Sequence, residues 1–109
     1  MPTLASSDDL FTLVSVFTVS ADQQQELMAL LVEVTEQTMQ HLPGFMSANI
    51  HASRDSTRAI NYAQWQSREH FEAVREREAV QPHIQRAAEV AESYDPVFCV
   101  LVDYTPQPS

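Results

Sequence analysis

Two features of the sequence predict an α+β fold with the element order β-α-β-β-α-β. Runs of β-branched and aromatic residues, which favour strands, alternate with segments whose apolar residues recur every three or four positions, which favour helices. The second and third strand segments are separated only by a short polar turn and therefore form an antiparallel hairpin. We expect the ferredoxin-like arrangement, a four-stranded antiparallel sheet with the helices on one face.

The first half of this order is a strand followed by a long helix. Residues 11–19 are mostly β-branched or aromatic, as in a strand whose two faces are both covered. Ser20 and Gln23 match a capping box that would open the helix. The helix is expected to end near Leu42, because Pro43 cannot continue it.

The hairpin and a second helical region complete the order. Residues 45–53 and 57–66 are the predicted hairpin strands, and Ser67 is the N-cap of the helix that follows. A further helix is expected over residues 82–93, with a proline in its first turn. An Asp-Pro pair is expected to close that helix, and residues 97–104 form the last strand.

Composition and charge exclude several classes of function. The chain is expected to form one domain, residues 1–109, with flexible tails over residues 1–9 and 105–109. The net charge of -9 argues against binding nucleic acid or docking on an anionic membrane. The single glycine, Gly44, excludes glycine-rich nucleotide motifs, and the single cysteine, Cys99, excludes an intrachain disulfide. No leader or membrane-spanning segment is evident, so a soluble cytoplasmic protein is expected.

The first and last strands are apolar on both sides, although helices cover only one face of the predicted sheet. Val14 and Val16 lie on the opposite side of the first strand from Leu13 and Phe17. Residues 97–102 are likewise apolar on both sides. An apolar face without a helix needs a partner, and a second copy of the same sheet is the simplest one. The sequence therefore predicts a homodimer.

The third strand carries an amide where strands usually avoid one. Because strand side chains alternate between faces, Asn61 lies on the same side as Ala59, Ala63 and Trp65. Small alanines between an amide and an indole leave a hollow with a polar donor and an aromatic wall, which is typical of a small-molecule site. Alternatively, the amide serves the backbone of a neighbouring strand or bulge.

The segment 43–67 carries most of a resemblance to a known superfamily. The matching residues are Pro43-Gly44-Phe45, Ser47-Ala48, His51-Ala52-Ser53, Asp55 and Asn61-Tyr62-Ala63-Gln64-Trp65. They resemble the antibiotic biosynthesis monooxygenase superfamily, and within it the cofactor-independent, quinone-forming monooxygenases such as that of actinorhodin biosynthesis. The resemblance implies a dimeric α+β barrel, with a pocket between sheet and helices in each subunit.

The resemblance also implies roles for individual residues. Asn61 and Trp65 fall on catalytic positions of the family, and Arg86 is the candidate for a pocket arginine in the last helix. A shift of one residue in register would place Gln85 there instead. The residue Ala63, between the amide and the indole, is an expected substrate contact.

Three further residues, Ile50, Phe71 and His83, are expected to bind substrate. His83 lies near the positions of pocket-mouth residues in relatives. Phe71 and Ile50 stand where the quinone-forming relative has tyrosines, and the tyrosine replaced by Phe71 is proposed there to handle a proton. The pocket is therefore more apolar, and either the proton route or the substrate differs.

The expected activity is the oxidation of a phenolic or anthrone-type, polyketide-like aromatic to a quinone by dioxygen without a cofactor. Such a substrate carries its own electrons, which agrees with the missing cofactor motifs. Asn61 would donate a hydrogen bond to a developing oxyanion, Trp65 would stack on the rings, and Arg86 would stabilise the anion. Two alternatives are a non-catalytic dimeric module that binds an aromatic ligand, which Phe71 favours, and a quinol monooxygenase acting on a simple hydroquinone.

No metal, haem or flavin is expected. No two histidines have the i, i+4 spacing of a helical metal site. One turn beyond His83, where haem-degrading members of the superfamily have a ligand, this chain has alanine. A hairpin loop of two or four residues would pair Ile50 with Asn61 and send His51 to the dimer-facing side. His70 is expected to be solvated.

Overall fold

Four strands and three helices follow one another in the predicted order. A computed structural model describes residues 10–100, 102–103 and 105–108, so the predicted tail over residues 1–9 lies outside the described residues. The strands are β1 (Phe11–Thr18), β2 (Phe45–Ala52), β3 (Arg58–Trp65) and β4 (Ser93–Cys99), and the helices are α1 (Gln24–Gln37), α2 (Arg68–Arg75) and α3 (Gln81–Val90). The α+β, ferredoxin-like fold is confirmed, with the second helical region divided into α2 and α3. None of the helices in the described ranges is long and apolar enough to cross a membrane.

The four strands form an antiparallel sheet in the order β2-β3-β1-β4. Because side chains alternate, the sheet has an inner face, which packs against the helices, and an outer face on its other side. Asn61 on β3 lies between Ser15 on β1 and Ile50 on β2, and all three face inward. His51 pairs with Ile60 on the outer face, so the predicted register is confirmed.

Ser53, directly after β2, lies opposite Arg58, the first residue of β3, and the four residues 54–57 form the loop between them. The Ser53 N–H donates to the Arg58 carbonyl oxygen at 3.0 Å and closes the loop. The Asp55 carboxylate accepts hydrogen bonds from the Thr57 hydroxyl at 2.7 Å, the Ser53 hydroxyl at 2.8 Å and the Thr57 N–H at 3.1 Å. The hydrogen bonds from Thr57 and Ser53 lower the pKa of Asp55 from 3.8 to about 2. This network fixes the loop and, with it, the register of the hairpin.

The buried Gln24 side chain anchors α1 to this hairpin. Its amide nitrogen donates to the carbonyl oxygens of Arg58 at 2.8 Å and Ser53 at 3.2 Å. The helix begins at Gln24 after a short 3-10 turn, and the Ser20 hydroxyl donates to the Gln23 side-chain oxygen at 3.4 Å rather than capping the backbone. The predicted capping box is therefore wrong. The helix also ends earlier than predicted, because a second 3-10 turn precedes the proline.

The last strand begins earlier than predicted. β4 spans Ser93–Cys99 rather than residues 97–104, and α3 already ends at Val90. The Asp-Pro pair lies within the strand, where Pro96 is paired with Ser15, instead of closing the helix. Because β4 is an edge strand, a residue without an N–H is tolerated there. Part of the predicted strand lies outside the described residues.

Two apolar clusters form the core on the inner face, one at each end of β3. The hairpin-end cluster consists of Phe17, Val19, Leu27, Leu31, Ala59, Ala87 and Val90, and the aromatic-end cluster of Phe11, Leu13, Trp65, Val74 and Val80. Complete burial of one such large side chain stabilises the fold by roughly 1.5–3 kcal/mol. The space between the two clusters is not filled by side chains, and it becomes the candidate site.

Candidate active site

A cavity of about 420 Å³ opens on the inner face of the sheet, between the two core clusters. Its floor is made of alternate residues from all four strands, and its walls come from all three helices. The volume lies in the range of roughly 300–1,000 Å³ that is typical of small-molecule sites. Of the predicted site residues, the cavity is lined by Asn61, Ala63, Trp65, Phe71 and His83.

Asn61 is the amide on the floor of this cavity. It lies on β3 between two buried alanines, Ala59 and Ala63, whose short side chains leave space on either side of it. The Asn61 side-chain oxygen is buried and has no hydrogen-bond partner in the part of the chain that the structure describes. Among the described residues, this oxygen therefore accepts no hydrogen bond from a neighbouring backbone N–H, which the alternative interpretation offered as one role for the amide. An unpaired buried acceptor costs about 1–3 kcal/mol, so a hydrogen bond from a ligand in the cavity to this oxygen would be favourable.

Two hydroxyl groups extend the polar part of the floor. Ser15 lies directly opposite Asn61 on β1, and its hydroxyl oxygen is 3.4 Å from that of Tyr94 on β4. The Tyr94 ring stacks on Phe17, with ring centroids 4.8 Å apart. We refer to Asn61, Ser15 and Tyr94 as the polar row. It brings an amide and two hydroxyls to an otherwise largely apolar floor.

Sequence reasoning missed the two hydroxyl residues of the polar row. Tyr94 was missed because the predicted strand began four residues too late, after the Asp-Pro pair. The available signal was the alternation of Tyr94, Pro96 and Phe98, which share one face once the strand is extended backwards. Ser15 could have been found from its position between the inward-facing Leu13 and Phe17.

The aromatic wall lies at the far end of the cavity from the hairpin. Trp65 is only 3% exposed, and its ring meets Phe45 edge to face at 5.3 Å between centroids. Phe71 on α2 lies 6.2 Å from Trp65 and stacks on Phe11 at 5.2 Å. Because these rings pack against one another, they form a continuous apolar surface for a planar ligand.

Polar side chains at the α2–α3 connection also line the cavity. Arg75 closes α2, and Gln81 opens α3 and donates from its side chain to the Arg75 carbonyl oxygen at 2.6 Å. The Arg75 guanidinium carbon lies 5.6 Å from the centre of the Phe71 ring. A guanidinium nitrogen of Arg75 lies 3.5 Å from the Glu72 carboxylate. His83 follows two residues after Gln81 on α3 and also lines the cavity. We refer to Arg75, Gln81 and His83 as the polar rim.

Two predicted site residues, Arg86 and Ile50, do not line the cavity. Arg86 is 58% exposed in its side chain and faces Glu26 on α1 at 3.5 Å, and Gln85 is also absent from the lining. The helical period explains this, because His83, Ile84, Ala87 and Ala88 face the cavity and leave the intervening positions outside. The predicted placement of Arg86 is therefore wrong. Ile50 faces inward as predicted, but it packs against the hairpin-end cluster instead of lining the cavity.

His70 is not the solvated residue that the sequence predicted. Its Nδ1 lies 2.7 Å from the Ser67 hydroxyl, which also accepts a hydrogen bond from the His70 N–H at 3.2 Å. The predicted N-cap Ser67 is thus confirmed. The His70 ring also lies against Gly44, which has a φ of +87° and where any Cβ would clash with the ring. This contact fixes the start of α2 and thereby positions Phe71.

The titratable groups that line the cavity are Arg75, His83 and Tyr94, and none of the described Asp or Glu residues lines it. Within the described ranges, no group of three His, Cys, Asp or Glu side chains is placed to hold a metal ion. The arrangement can enclose a planar aromatic molecule against the wall. It can also form hydrogen bonds to the oxygens of that molecule along the polar row.

Comparison with known proteins assigns the chain to a family. The profile described as antibiotic biosynthesis monooxygenase matches residues 10–89. Tetracenomycin-F1 monooxygenase of Streptomyces glaucescens is 46% identical over 99 residues, which cover 91% of this chain and 88% of that protein.

Solved structures share the fold at lower identity. A monooxygenase from the gene ActVA-Orf6 of Streptomyces coelicolor, in complex with nanaomycin D, superposes with a TM-score of 0.81 at 24% identity, covering 99% of this chain and all of that one. A mutant of SnoaB, a cofactor-independent oxygenase from Streptomyces nogalater, gives a TM-score of 0.82 at 18% identity, covering 91% and 99% of the two chains. The chain therefore belongs to the antibiotic biosynthesis monooxygenase family, as its motifs indicated.

Proposed function

We propose that the protein is a cofactor-independent monooxygenase that oxidises a phenolic or anthrone-type, polyketide-like aromatic to a quinone with dioxygen. The observation that carries the proposal is the unpaired oxygen of Asn61 in a largely apolar cavity of about 420 Å³. A polar group in that setting is suited to bind an oxygen of a substrate. The relative that acts on tetracenomycin F1 and the structure that binds nanaomycin D support this class of substrate.

The electrons for this reaction come from the substrate. Loss of a proton from an anthrone gives an aromatic enolate, which can transfer one electron to dioxygen before the two radicals combine. The resulting peroxide takes up a proton and breaks its O–O bond. One oxygen atom becomes the new carbonyl, and the other leaves as water with the two hydrogens of the original methylene. The balance needs no reductant beyond the substrate.

The protein has to bind the enolate, orient it and exclude water. The Asn61 side chain presents an acceptor and a donor, and rotation of its amide exchanges the two. The acceptor suits a phenolic hydroxyl of the substrate, and the donor suits the oxygen on which charge develops. A donor in that position typically contributes about 2.7–4 kcal/mol to stabilising the transition state.

The aromatic wall would hold the rings of the substrate. Trp65 provides the largest buried surface, and Phe71 continues it on α2. Ala63, which is buried on the floor between Asn61 and Trp65, allows a planar ring to approach the sheet. His83 would contact the substrate from the polar rim. Arg86 has no part in this proposal, because its side chain lies outside the cavity.

Tyr94 is the candidate for the proton-handling group. Phe71 has no proton to donate, whereas the Tyr94 hydroxyl lies on the floor beside Ser15, in the polar row that includes Asn61. A peroxide formed above this row would be within reach of the phenol. The Ser15 hydroxyl would hold the Tyr94 O–H in position through their shared hydrogen bond.

The outer face supports the proposal of a homodimer. Its central apolar residues are Val14, Val16, Ile60, Tyr62 and Val97, which adjoin one another on three neighbouring strands. Tyr62 is 39% and Val97 43% exposed in the single chain. Packing this face against a second copy would bury it, as an isologous two-fold interface allows.

Oxygen uptake by two asparagine variants tests the proposed activity. Asn61→Ala removes the amide of the cavity floor, and Asn49→Ala removes an exposed amide from the outer face of β2. With dithranol, a neutral dihydroxyanthrone, Asn61→Ala is expected to lower kcat more than tenfold. A tenfold decrease corresponds to a rise of about 1.4 kcal/mol in the activation free energy. Asn49→Ala should leave kcat unchanged. An oxygen electrode measures both rates after subtraction of spontaneous oxidation.

Two results would separate the alternatives. Equal turnover in Asn61→Ala and wild type would show that the amide of Asn61 has no role in the reaction. Tight binding of dithranol by the wild type without oxygen uptake would favour a module that binds an aromatic ligand without converting it.

A further inference from the structure

The proposed reaction begins with the loss of a proton from the substrate, and that proton needs an acceptor. The amide of Asn61 is not basic, and Tyr94 is placed to donate a proton to the peroxide rather than to remove one from carbon. Resting on the function proposed above, we infer that His83 is a catalytic residue, the general base that removes this proton and so forms the enolate.

The titratable side chains of the cavity support this inference by their chemistry. In the part of the chain that the structure describes, Arg75, His83 and Tyr94 are the titratable residues that line the cavity. A guanidinium stays protonated and cannot accept a further proton. A phenol holds its proton near neutral pH and therefore suits a donor. A neutral imidazole has one ring nitrogen without a proton, so His83 is the base in this set.

The position of His83 on α3 places it at the same level of the cavity as Asn61. Val80, just before α3, belongs to the aromatic-end cluster, and Ala87 belongs to the hairpin-end cluster. His83 lies three residues after Val80 and four before Ala87, so all three share one side of the helix. It is roughly 6 Å from Ala87 along the helix axis, just as Asn61 is roughly 7 Å along β3 from Ala59 of the same cluster. The imidazole on the helical wall therefore lies across the cavity from the amide on the floor.

The other three histidines are placed away from the cavity. The His70 ring lies 2.7 Å from the Ser67 hydroxyl at the start of α2. The exposed His41 ring lies 3.2 Å from a carbonyl oxygen of α1, and His51 is on the outer face of the sheet. His83 is half-buried and lines the cavity, so it is the histidine that a bound substrate would contact.

The groups that face this imidazole come from each neighbouring element. β4 contributes Tyr94 to the cavity, and α2 contributes Arg75. α1 faces α3 with Glu26, whose carboxylate lies 3.5 Å from Arg86 outside the cavity. Of the side-chain types that line the cavity, only imidazole ordinarily changes its protonation between about pH 5 and pH 8. A change in rate over this interval therefore reports on the imidazole.

The protons of the reaction balance with His83 as the base. The imidazole takes one hydrogen of the methylene as a proton, and the carbon–hydrogen electron pair remains in the enolate that reacts with dioxygen. Tyr94 protonates the peroxide, and its phenolate takes up the second methylene hydrogen as the new carbonyl forms. The O–O bond breaks with its electron pair on the departing oxygen, and the imidazolium returns its proton to that oxygen, which leaves as water. Both side chains end the cycle as they began it.

Hydrogen exchange at the methylene carbon of dithranol measures the proposed step without oxygen. In deuterated water under nitrogen, the wild type should replace the methylene hydrogens by deuterium faster than buffer does, and proton NMR follows the loss of their signal. His83→Gln keeps a polar side chain of similar reach that is not a base, and it should lower the catalysed exchange rate by roughly 10²–10⁴-fold. His41→Gln, at an exposed histidine, is the control and should exchange as the wild type. Thermal unfolding verifies that both variants fold.

The dependence on pH separates a base from a residue that only binds substrate. The wild-type exchange rate should fall as the pH is lowered from about 8 to about 5, because a protonated imidazole cannot accept a second proton. His83→Gln should lose this decline, and in oxygen uptake it should lower kcat while KM for dithranol changes less than about threefold. Imidazole added to His83→Ala should restore part of the exchange rate. Wild-type exchange and an unchanged pH profile in His83→Gln, or a rise in KM with kcat unchanged, would overturn the inference.

Failure of the proposed function can be told apart from failure of this inference. If the wild type catalyses exchange under nitrogen but takes up no oxygen, the oxygenase proposal fails and the base is retained. If the wild type oxidises dithranol but exchanges its methylene hydrogens no faster than buffer, the oxygenase stands and the base is rejected. Absence of both exchange and oxygen uptake rejects both proposals.

Discussion

The two faces of the sheet use similar residue types for different purposes. Both faces carry a tyrosine and an asparagine: Tyr94 and Asn61 point inward, whereas Tyr62 and Asn49 point outward. On the inner face, buried alanines interrupt the apolar side chains and leave a cavity around the polar row. On the outer face, valine and isoleucine side chains adjoin one another without such an interruption. Residue type alone therefore does not assign a role, and the face on which a residue lies decides it.

Removing one tyrosine hydroxyl from each face should give the largest difference in kcat between the two faces. Tyr94→Phe should lower kcat at least tenfold, because a positioned proton donor typically contributes about 10²–10⁴-fold. Tyr62→Phe should leave kcat unchanged, since its hydroxyl lies on the other side of the sheet. Steady-state oxygen uptake with dithranol over a range of pH measures both effects. If Tyr94→Phe retains the rate and the pH profile of the wild type, the proton follows another route.

A charge on the outer face should break the proposed dimer without filling the cavity. Val14→Glu places a carboxylate between Tyr62 and Val97, where packing against a second sheet would bury it unpaired. Val32→Glu is the control, because Val32 is an exposed valine on α1. Sedimentation should give a monomer of about 12.3 kDa for Val14→Glu and a dimer for Val32→Glu. A wild-type chain that sediments as a stable monomer at micromolar concentration would refute the sheet-to-sheet dimer.

The smallest expected effect concerns the loop between β2 and β3, which sets the register of these two strands. The pKa of Asp55 is lowered to about 2 by hydrogen bonds from Thr57 and Ser53. Because the folded state has the lower pKa, the contribution of Asp55 to stability is present above the ordinary pKa of 3.8. It is lost as the pH falls through about 2.

Urea unfolding at a series of pH values measures this contribution. The wild type should lose stability between about pH 4 and pH 2 more steeply than Asp55→Asn. Glu33→Gln, an exposed substitution on α1, is the control and should follow the wild type. Identical slopes for Asp55→Asn and the wild type would show that the loop network does not depend on the ionised carboxylate.

Most of the fold and the centre of the site follow from local rules of the sequence. Side chains of β3 alternate strictly between the two faces, so the sequence alone placed Asn61, Ala63 and Trp65 on one face. The even loop length then set the partner of Asn61, and Ile50 is that partner. The lining residues of the cavity walls depend on the helices, whose rotation about their own axes is set by packing rather than by the sequence of one element.

The two largest errors have separate physical causes. Each residue of a helix turns the side chain by about 100°, so α3 had to be placed to within one residue for Arg86 to be assigned correctly. The Asp-Pro pair was interpreted as a helix stop, although a proline is tolerated on an edge strand. Whether a strand is an edge strand depends on the order of all four strands, which no local pattern contains. That error concealed Tyr94.

Isotopically labelled dioxygen offers the most direct test of the central claim, that the cavity around Asn61 carries out a cofactor-independent monooxygenation. The purified protein, freed of metal with a chelator, is supplied with labelled dioxygen and dithranol, and the quinone is analysed by mass spectrometry. One labelled oxygen atom is expected in each quinone formed by the enzyme, together with a much slower enzymatic rate in Asn61→Ala. A quinone whose new oxygen comes from water, or a rate that disappears with the chelator, would contradict it.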